Sequence, residues 1–153
     1  MQKSHIETVG TLIHFKDTEG NRVGAKGHTM DNPVIGYITL GVVDYKRSIA
    51  FFRDVIGFPL LISDEAFQFA RFQAGDVTFA VIGGAGKERE ARGDVHTGIA
   101  ICVPDIDAAF RELSAKGVRF TMPPSKQPWG GYMALFADPD GNIFYLDSVG
   151  GEQ

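Results

Sequence analysis

One cysteine and one tryptophan are all that 153 residues hold of those two types, and no apolar run approaches the ~20 residues a membrane-spanning helix needs. Each scarcity excludes something. Cys102 alone cannot close an internal disulfide, and its setting in "AICV" predicts a small core residue rather than a catalytic thiol. Basic residues number 15 against 19 acidic, a formal charge of -4, and they form no cluster. No electrostatic footprint for a polyanion results, so nucleic acid is not an expected partner. The opening "MQKSHIETVG" lacks the apolar centre of a signal peptide, which makes the cytoplasm the expected compartment and a membrane an unexpected partner. Three of the four histidines, His5, His14 and His28, lie in the first 30 residues at spacings that match no compact metal motif. No nucleophile stands beside a base, and no catalytic residue is assigned.

What is present is a chain 44% hydrophobic and 22% charged, enough for one sizeable core. Alternation in "IGYITLGVVD" predicts a strand with Ile38, Leu40 and Val42 on one side and Tyr37, Thr39 and Gly41 on the other. Asp44 then suits an N-cap, Ile49, Phe52, Val55 and Ile56 recur at helical spacing, and Gly57 stops the run. A strand in "FPLLIS" and two more around the turn "AGD" in "FQFARFQAGDVTFAVIGG" complete a β-α-β-β-β unit.

The order repeats. "TGIAICVPDIDAAFRELSAKGV" offers a strand, an N-cap at Asp105, apolar positions Ile106, Phe110 and Leu113, and a stop at Gly117. "GDVTFAV" set over "GNIFYLD" pairs Phe79 with Tyr145. Two modules of about 55 residues follow, spanning 34–85 and 94–149 within a domain at 32–149. The charged, glycine-flanked "GGAGKEREARGD" between them reads as a solvated linker. Residues 1–30 read as an accessory segment, set off by "DNP". There "GTLIHFKDTEGNRVGAKG" predicts a hairpin around "DTEG" that is similar to the closing hairpin of a further module.

The repeat resembles the vicinal oxygen chelate superfamily of glyoxalase I, extradiol dioxygenases and bleomycin-resistance proteins, over roughly Asn32 to Ser148. The most specific pieces are "ITLGVVDYKRSIAFFRDVIGF", "VPDIDAAFRELSAKGV" and "PWGGYMALFADPDGNIFYL". The resemblance implies an α+β fold of paired βαβββ modules, whose curled mixed sheets form a half-barrel cup with helices on the outer face. Metal-dependent relatives draw ligands from a histidine on each module's first strand and a glutamate near the end of its last. Those positions here are Tyr37, Phe79, Gly98 and Tyr145, none of them imidazole or carboxylate. The expectation is therefore a protein without a metal or other cofactor, binding a small amphipathic or aromatic ligand in the cup and pairing as a homodimer. The alternatives are a metal-dependent lyase or dioxygenase with displaced ligands, a metal-free enzyme using Tyr37 and Tyr145, and an interaction module with a filled cup.

Candidate ligand contacts follow from strand parity. Tyr37, Thr39, Phe79 and Tyr145 occupy the implied concave face, with Tyr145 either lining a pocket or filling it. Arg71 in "FARFQ" is an anchor for a carboxylate or phosphate if it points inward. His96 lies two residues before Gly98 and shares its face. Trp129, in the stiff loop "PPSKQPWGGY", either stacks on a ligand at the cup's mouth or packs under the loop. Asp138 and Asp140 read as turn formers rather than an acid/base pair.

Overall fold

The computed structural model describes residues 5–9, 12–16 and 32–149. The chain divides into two compact units, Met1–Ile35 and Gly36–Gln153. In the first, β1 (His5–Val9) runs antiparallel to β2 (Leu12–Lys16), in register from Val9↔Leu12 to His5↔Lys16. The strand expected in "TLIHF" is present, with the upstream "HIETV" as its partner. "DTEG" and the strand expected after it lie outside the described residues.

The second unit carries both modules. β3 (Tyr37–Gly41) leads into α1 (Tyr45–Ala50), which continues as a π-helix (Phe51–Ile56) before β4 (Leu60–Asp64), β5 (Phe69–Ala74) and β6 (Val77–Ile82). A short α2 (Gly86–Glu90) connects to β7 (Val95–Val103), α3 (Ile106–Ala115), β8 (Arg119–Lys126), β9 (Tyr132–Ala137) and β10 (Asn142–Ser148). Two four-stranded mixed sheets result, ordered β3-β6-β5-β4 and β7-β10-β9-β8, with β3∥β6 and β7∥β10 the parallel pairs. They do not close into a barrel. This is the expected α+β architecture.

Local chemistry accounts for the helix boundaries. Asp44 Oδ1 accepts from the Lys46 and Arg47 amides, and Asp105 Oδ1 from the Ala108 amide, satisfying orphan donors at both N-termini. Gly57 and Gly117 follow in the left-handed region, at φ 91° and 83°, where the chain can leave a helix without a Cβ clash. The π turn was not expected from sequence. Its origin lies in "FFRDVI", where apolar residues recur in adjacent pairs four apart. A wider turn brings Phe51, Phe52, Val55 and Ile56 together toward the core better than 3.6 residues per turn would.

That core is one aromatic cluster. Phe52 is fully buried, with ring centroids 4.8 Å from Phe79, 5.7 Å from Phe144 and 6.0 Å from Phe72, so a single helical side chain touches both sheets. Phe136 stacks on Phe144 at 5.6 Å. A second tie joins the modules through the β9–β10 turn, because Asp140 accepts from the Val43 amide (2.7 Å) and from the Arg47 guanidinium at the start of α1.

The linker departs from its expected solvated state. Arg89 on α2 is buried at 8% exposure and donates to Asn142 Oδ1 through Nε and a terminal nitrogen, and to the Gly93 carbonyl (2.9 Å). Asn142 Nδ2 in turn donates to Asp138 Oδ2. An unpaired guanidinium would be costly there, so Arg89 holds the linker to the β9–β10 turn.

Candidate functional site

The two faces of each sheet separate by residue parity. In the first module Ala70, Phe72, Phe79 and Val81 point toward the helix and are at most 4% exposed. The open face therefore carries the alternate positions. Register aligns Tyr37 with Thr78 and Gln73, and Thr39 with Ala80 and Arg71, so Tyr37, Thr39 and Arg71 share that face. The Arg71 guanidinium carbon lies 5.7 Å from the ring centroids of both Tyr37 and Phe69. Its Nε is buried and has no hydrogen-bond partner. Ile62 is opposite Arg71 on β4 and half exposed. Asp64 lies opposite Phe69, but its Oδ1 already accepts from the Ala66 and Phe67 amides. Phe69 and Ile62 are thus site walls that the sequence reading did not single out. Alternation in "FARFQ" carried the signal for Phe69, whereas Ile62 depends on a bulged strand pairing.

Phe79 must be reassigned. Strand pairing sets Ile38 beside Phe79 and Leu40 beside Val81, while Ile101 pairs with Leu146 and Ala100 with Tyr145. With Leu40 equivalent to Ile101, Phe79 corresponds to Phe144, and Ala80 occupies the place of Tyr145. The error is one residue and has a physical cause: the β5–β6 connection is the two-residue turn Gly75–Asp76, shorter than the "DPDG" connection. Phe79 is 4% exposed within the aromatic core instead of on the concave face. Its exposed edge lines an apolar cleft of about 340 Å³ between the modules, with Ile38, Phe58, Val77, Ile99 and Phe144.

In the second module Tyr145 stands on the open face, half buried, beside Leu135 and Ala100 in register. Phe144 and Leu146 point into the core, as parity predicted. His96 joins Tyr145, their ring centroids 6.5 Å apart. A bulge makes this possible. From His96 to Ala100 four residues of β7 match two of β10, with Gly98 at φ 72° and Thr97 Oγ1 donating to the Ile143 carbonyl. The even excess preserves parity, so His96 remains on the Tyr145 side. Cys102 is exposed rather than in the core, because Ile101 and Val103 take the inward positions.

Trp129 is 74% exposed at the tip of the β8–β9 connection, where Gln127 and Gly131 close the loop (N···O 2.7 Å). It does not pack under the loop. Its indole lies against Gly131, where any Cβ would come within 2.8 Å of Nε1.

Asp138 and Asp140 behave as expected of a turn, with Asp138 Oδ1 accepting from the Asp140 and Asn142 amides. Burial pushes the Asp138 carboxyl above the ordinary carboxylate range, opposed by the hydrogen bonds from Asn142. Arg119 holds Asp94 below that range through a bidentate contact.

The donor set does not fit a metal of the kind metal-dependent relatives hold. Structurally equivalent positions carry Tyr37, Ala80, Gly98 and Tyr145, and among the described residues no three of His, Cys, Asp and Glu converge. The side chains of His5, His14 and His28 lie outside the described residues. Among the described residues no helix is long and apolar enough to cross a membrane.

Comparison with known proteins agrees with the fold. The uncharacterised protein YraH of Bacillus subtilis is 28% identical over 119 residues, 71% of this chain and 93% of the relative. A crystal structure of a glyoxalase/bleomycin resistance protein/dioxygenase superfamily member from Sphaerobacter thermophilus superposes with TM-score 0.63 at 29% identity, covering 76% of this chain and 98% of that one. TnmS3, an antibiotic binding protein from a Streptomyces species, superposes with TM-score 0.64 at 23% identity over 78% of this chain and 98% of that one, a likeness of fold alone. Residues 34–146 match one family model. The chain belongs to the Glyoxalase/Bleomycin resistance protein/Dioxygenase superfamily.

Proposed function

We propose that this protein binds a small amphipathic or aromatic molecule on the open faces of its sheets, without a metal ion, as a binding protein rather than a metalloenzyme. The observation that carries the reading is that tyrosines stand at two of the four family ligand positions, Tyr37 and Tyr145, with further polar side chains beside them on the open faces. Tyr37, Arg71 and Thr39 share one open face, and Tyr145 and His96 share the other. Half-exposed aromatic rings bring apolar area together with a polar handle, the usual composition of a small-molecule site. The exposed Trp129 supplies a further stacking surface.

The test is a thermal-shift panel of aromatic and amphipathic compounds against added Zn, Ni, Mn and Fe. An organic ligand at 100 times its Kd should stabilise the protein by about 2.7 kcal/mol by mass action, while the metals should leave melting unchanged. Tyr145→Ala should weaken the ligand response while the protein stays folded. Stoichiometric metal in a native preparation, with activity lost to a chelator, would overturn the reading.

The proximity of His96 and Tyr145 favours one second reading, a metal-free enzyme that uses the pair for proton transfer. It requires turnover that is lost in both His96→Gln and Tyr145→Phe.

A further inference from the structure

Resting on the binding role proposed above, we infer that the ligand is an organic anion with an apolar, aromatic body, and that Arg71 is the residue that recognises its charge. Arginine carries its charge at any accessible pH and presents five N–H donors in a planar fork. On β5 this fork lies between two aromatic rings, at 5.7 Å from each, within the ~6 Å at which a ring face attracts a cation. The rings compensate part of its charge but accept no conventional hydrogen bonds. Its Nε is buried without a partner, and among the described residues no carboxylate or carbonyl accepts from any of its nitrogens.

Four other arginines of the unit have protein partners, and the remaining two, Arg92 and Arg111, are exposed to water. Arg47 meets Asp140, Arg53 meets Asp54, Arg119 meets Asp94 and Arg89 meets Asn142. The acid closest in register to Arg71, Asp64, is engaged with the Ala66 and Phe67 amides. A half-buried guanidinium whose Nε is shielded from water and has no protein acceptor is complementary to an incoming oxyanion, which can take a charge-assisted bond from the fork. Tyr37 and Ile62, 60% and 52% exposed beside it, supply apolar walls for the body of the same molecule. The overall charge of -4 would favour a cationic ligand at long range, yet the local field at Arg71 has the opposite sign, and contact recognition follows the local field.

Three probes of one shape separate charge from shape: 1-naphthoate, 1-naphthalenemethanol and 1-naphthylmethylammonium. Titration calorimetry on the full chain should find the carboxylate bound about tenfold or more tightly than the alcohol, with the ammonium weakest. Added salt should reduce the carboxylate's advantage. Arg71→Gln should abolish the preference, whereas Arg119→Gln, which removes a paired arginine elsewhere, should preserve it. If Arg71→Gln does not fold by circular dichroism, Arg71→Lys decides, since a point charge without the fork should retain only part of the preference. An Arg71→Lys variant with undiminished preference would overturn the role of the fork. Equal or tighter binding of the alcohol or ammonium would overturn the anion assignment and leave the binding role standing. No binding of any probe at millimolar concentration would overturn both.

Discussion

Single acidic residues in this molecule divide by the range over which they act. Asp44, Asp105 and Asp138 serve amides within four positions of themselves, and their roles are written in the local sequence as N-caps and an Asx turn. Asp140 acts across 97 residues, holding the Val43 amide at the head of the first module's helix, and no local pattern announces it. Its carboxylate is almost fully buried, whereas Arg47 is half exposed. Asp140→Ala should therefore cost about 1–3 kcal/mol, the penalty for leaving the part-buried Val43 amide without its acceptor, and Arg47→Ala should cost about 1 kcal/mol or less. Urea unfolding of both variants measures the difference, and equal costs would mean that the amide contact contributes nothing. Tyr132 makes a comparable long-range contact, its hydroxyl donating to Asp107 Oδ1 at 2.6 Å, and that carboxylate holds the phenol above its ordinary range. A proton held more tightly in the folded state contributes stability that is fully present below the ordinary phenol pKa. It is lost as the pH rises through the folded value. Ultraviolet titration of tyrosinate should show a late-ionising component in the wild type that Tyr132→Phe removes.

At the scale of elements, what could be read from the chain was each module's order: alternating strand, aspartate cap, helix, glycine stop, then closing strands. Those signals are local and were repeated, so each copy supported the other. Register was harder to read because it depends on turns and bulges that change the residue count between strands. The short β5–β6 turn displaced Phe79 from the position assigned to it, and the β7 bulge placed His96 beside Tyr145 by a route that spacing alone does not show. The docking of Arg89 is hard to read for a related reason, since its acceptor Asn142 lies 53 residues away. Gly98 is the point at which this can be tested. At φ 72° it is in the left-handed region, with nothing within 4 Å of a Cβ, so Gly98→Ala adds backbone strain without a clash. The expected loss is about 1–2 kcal/mol. If the bulge relaxes to avoid that cost, the ring-current shift of the His96 imidazole signals should change in the NMR spectrum. A variant of unchanged stability and spectrum would show that the bulge does not set the position of His96.

For the whole molecule, the first question is which surfaces remain to be covered. The two sheets leave β3, β4, β7 and β8 as edge strands. Tyr37 on β3 and Leu61 and Ile62 on β4 are more than half exposed, and an apolar cleft lies between the modules. Unpaired edges with apolar flanks tend to be buried by a second copy, and assembly of this kind is illegible in a single chain because the partner surface is the same sequence. We expect a homodimer, with an interface of about 1,200–2,000 Å². Sedimentation should show it at tens of micromolar, roughly the range in which an interface of ordinary affinity is saturated. The N-terminal unit supplies the control. Among the described residues the aromatic core draws on Gly36–Gln153, and a chain lacking residues 1–30 should fold on its own. It should unfold in one cooperative thermal transition. A cooperative monomer after truncation, set against a dimeric full chain, would assign the pairing surface to the N-terminal hairpin. A cooperative dimer would assign it to the edges and cleft of the modules. Loss of cooperative unfolding would mean that the first 30 residues complete the core and that the division at "DNP" is wrong.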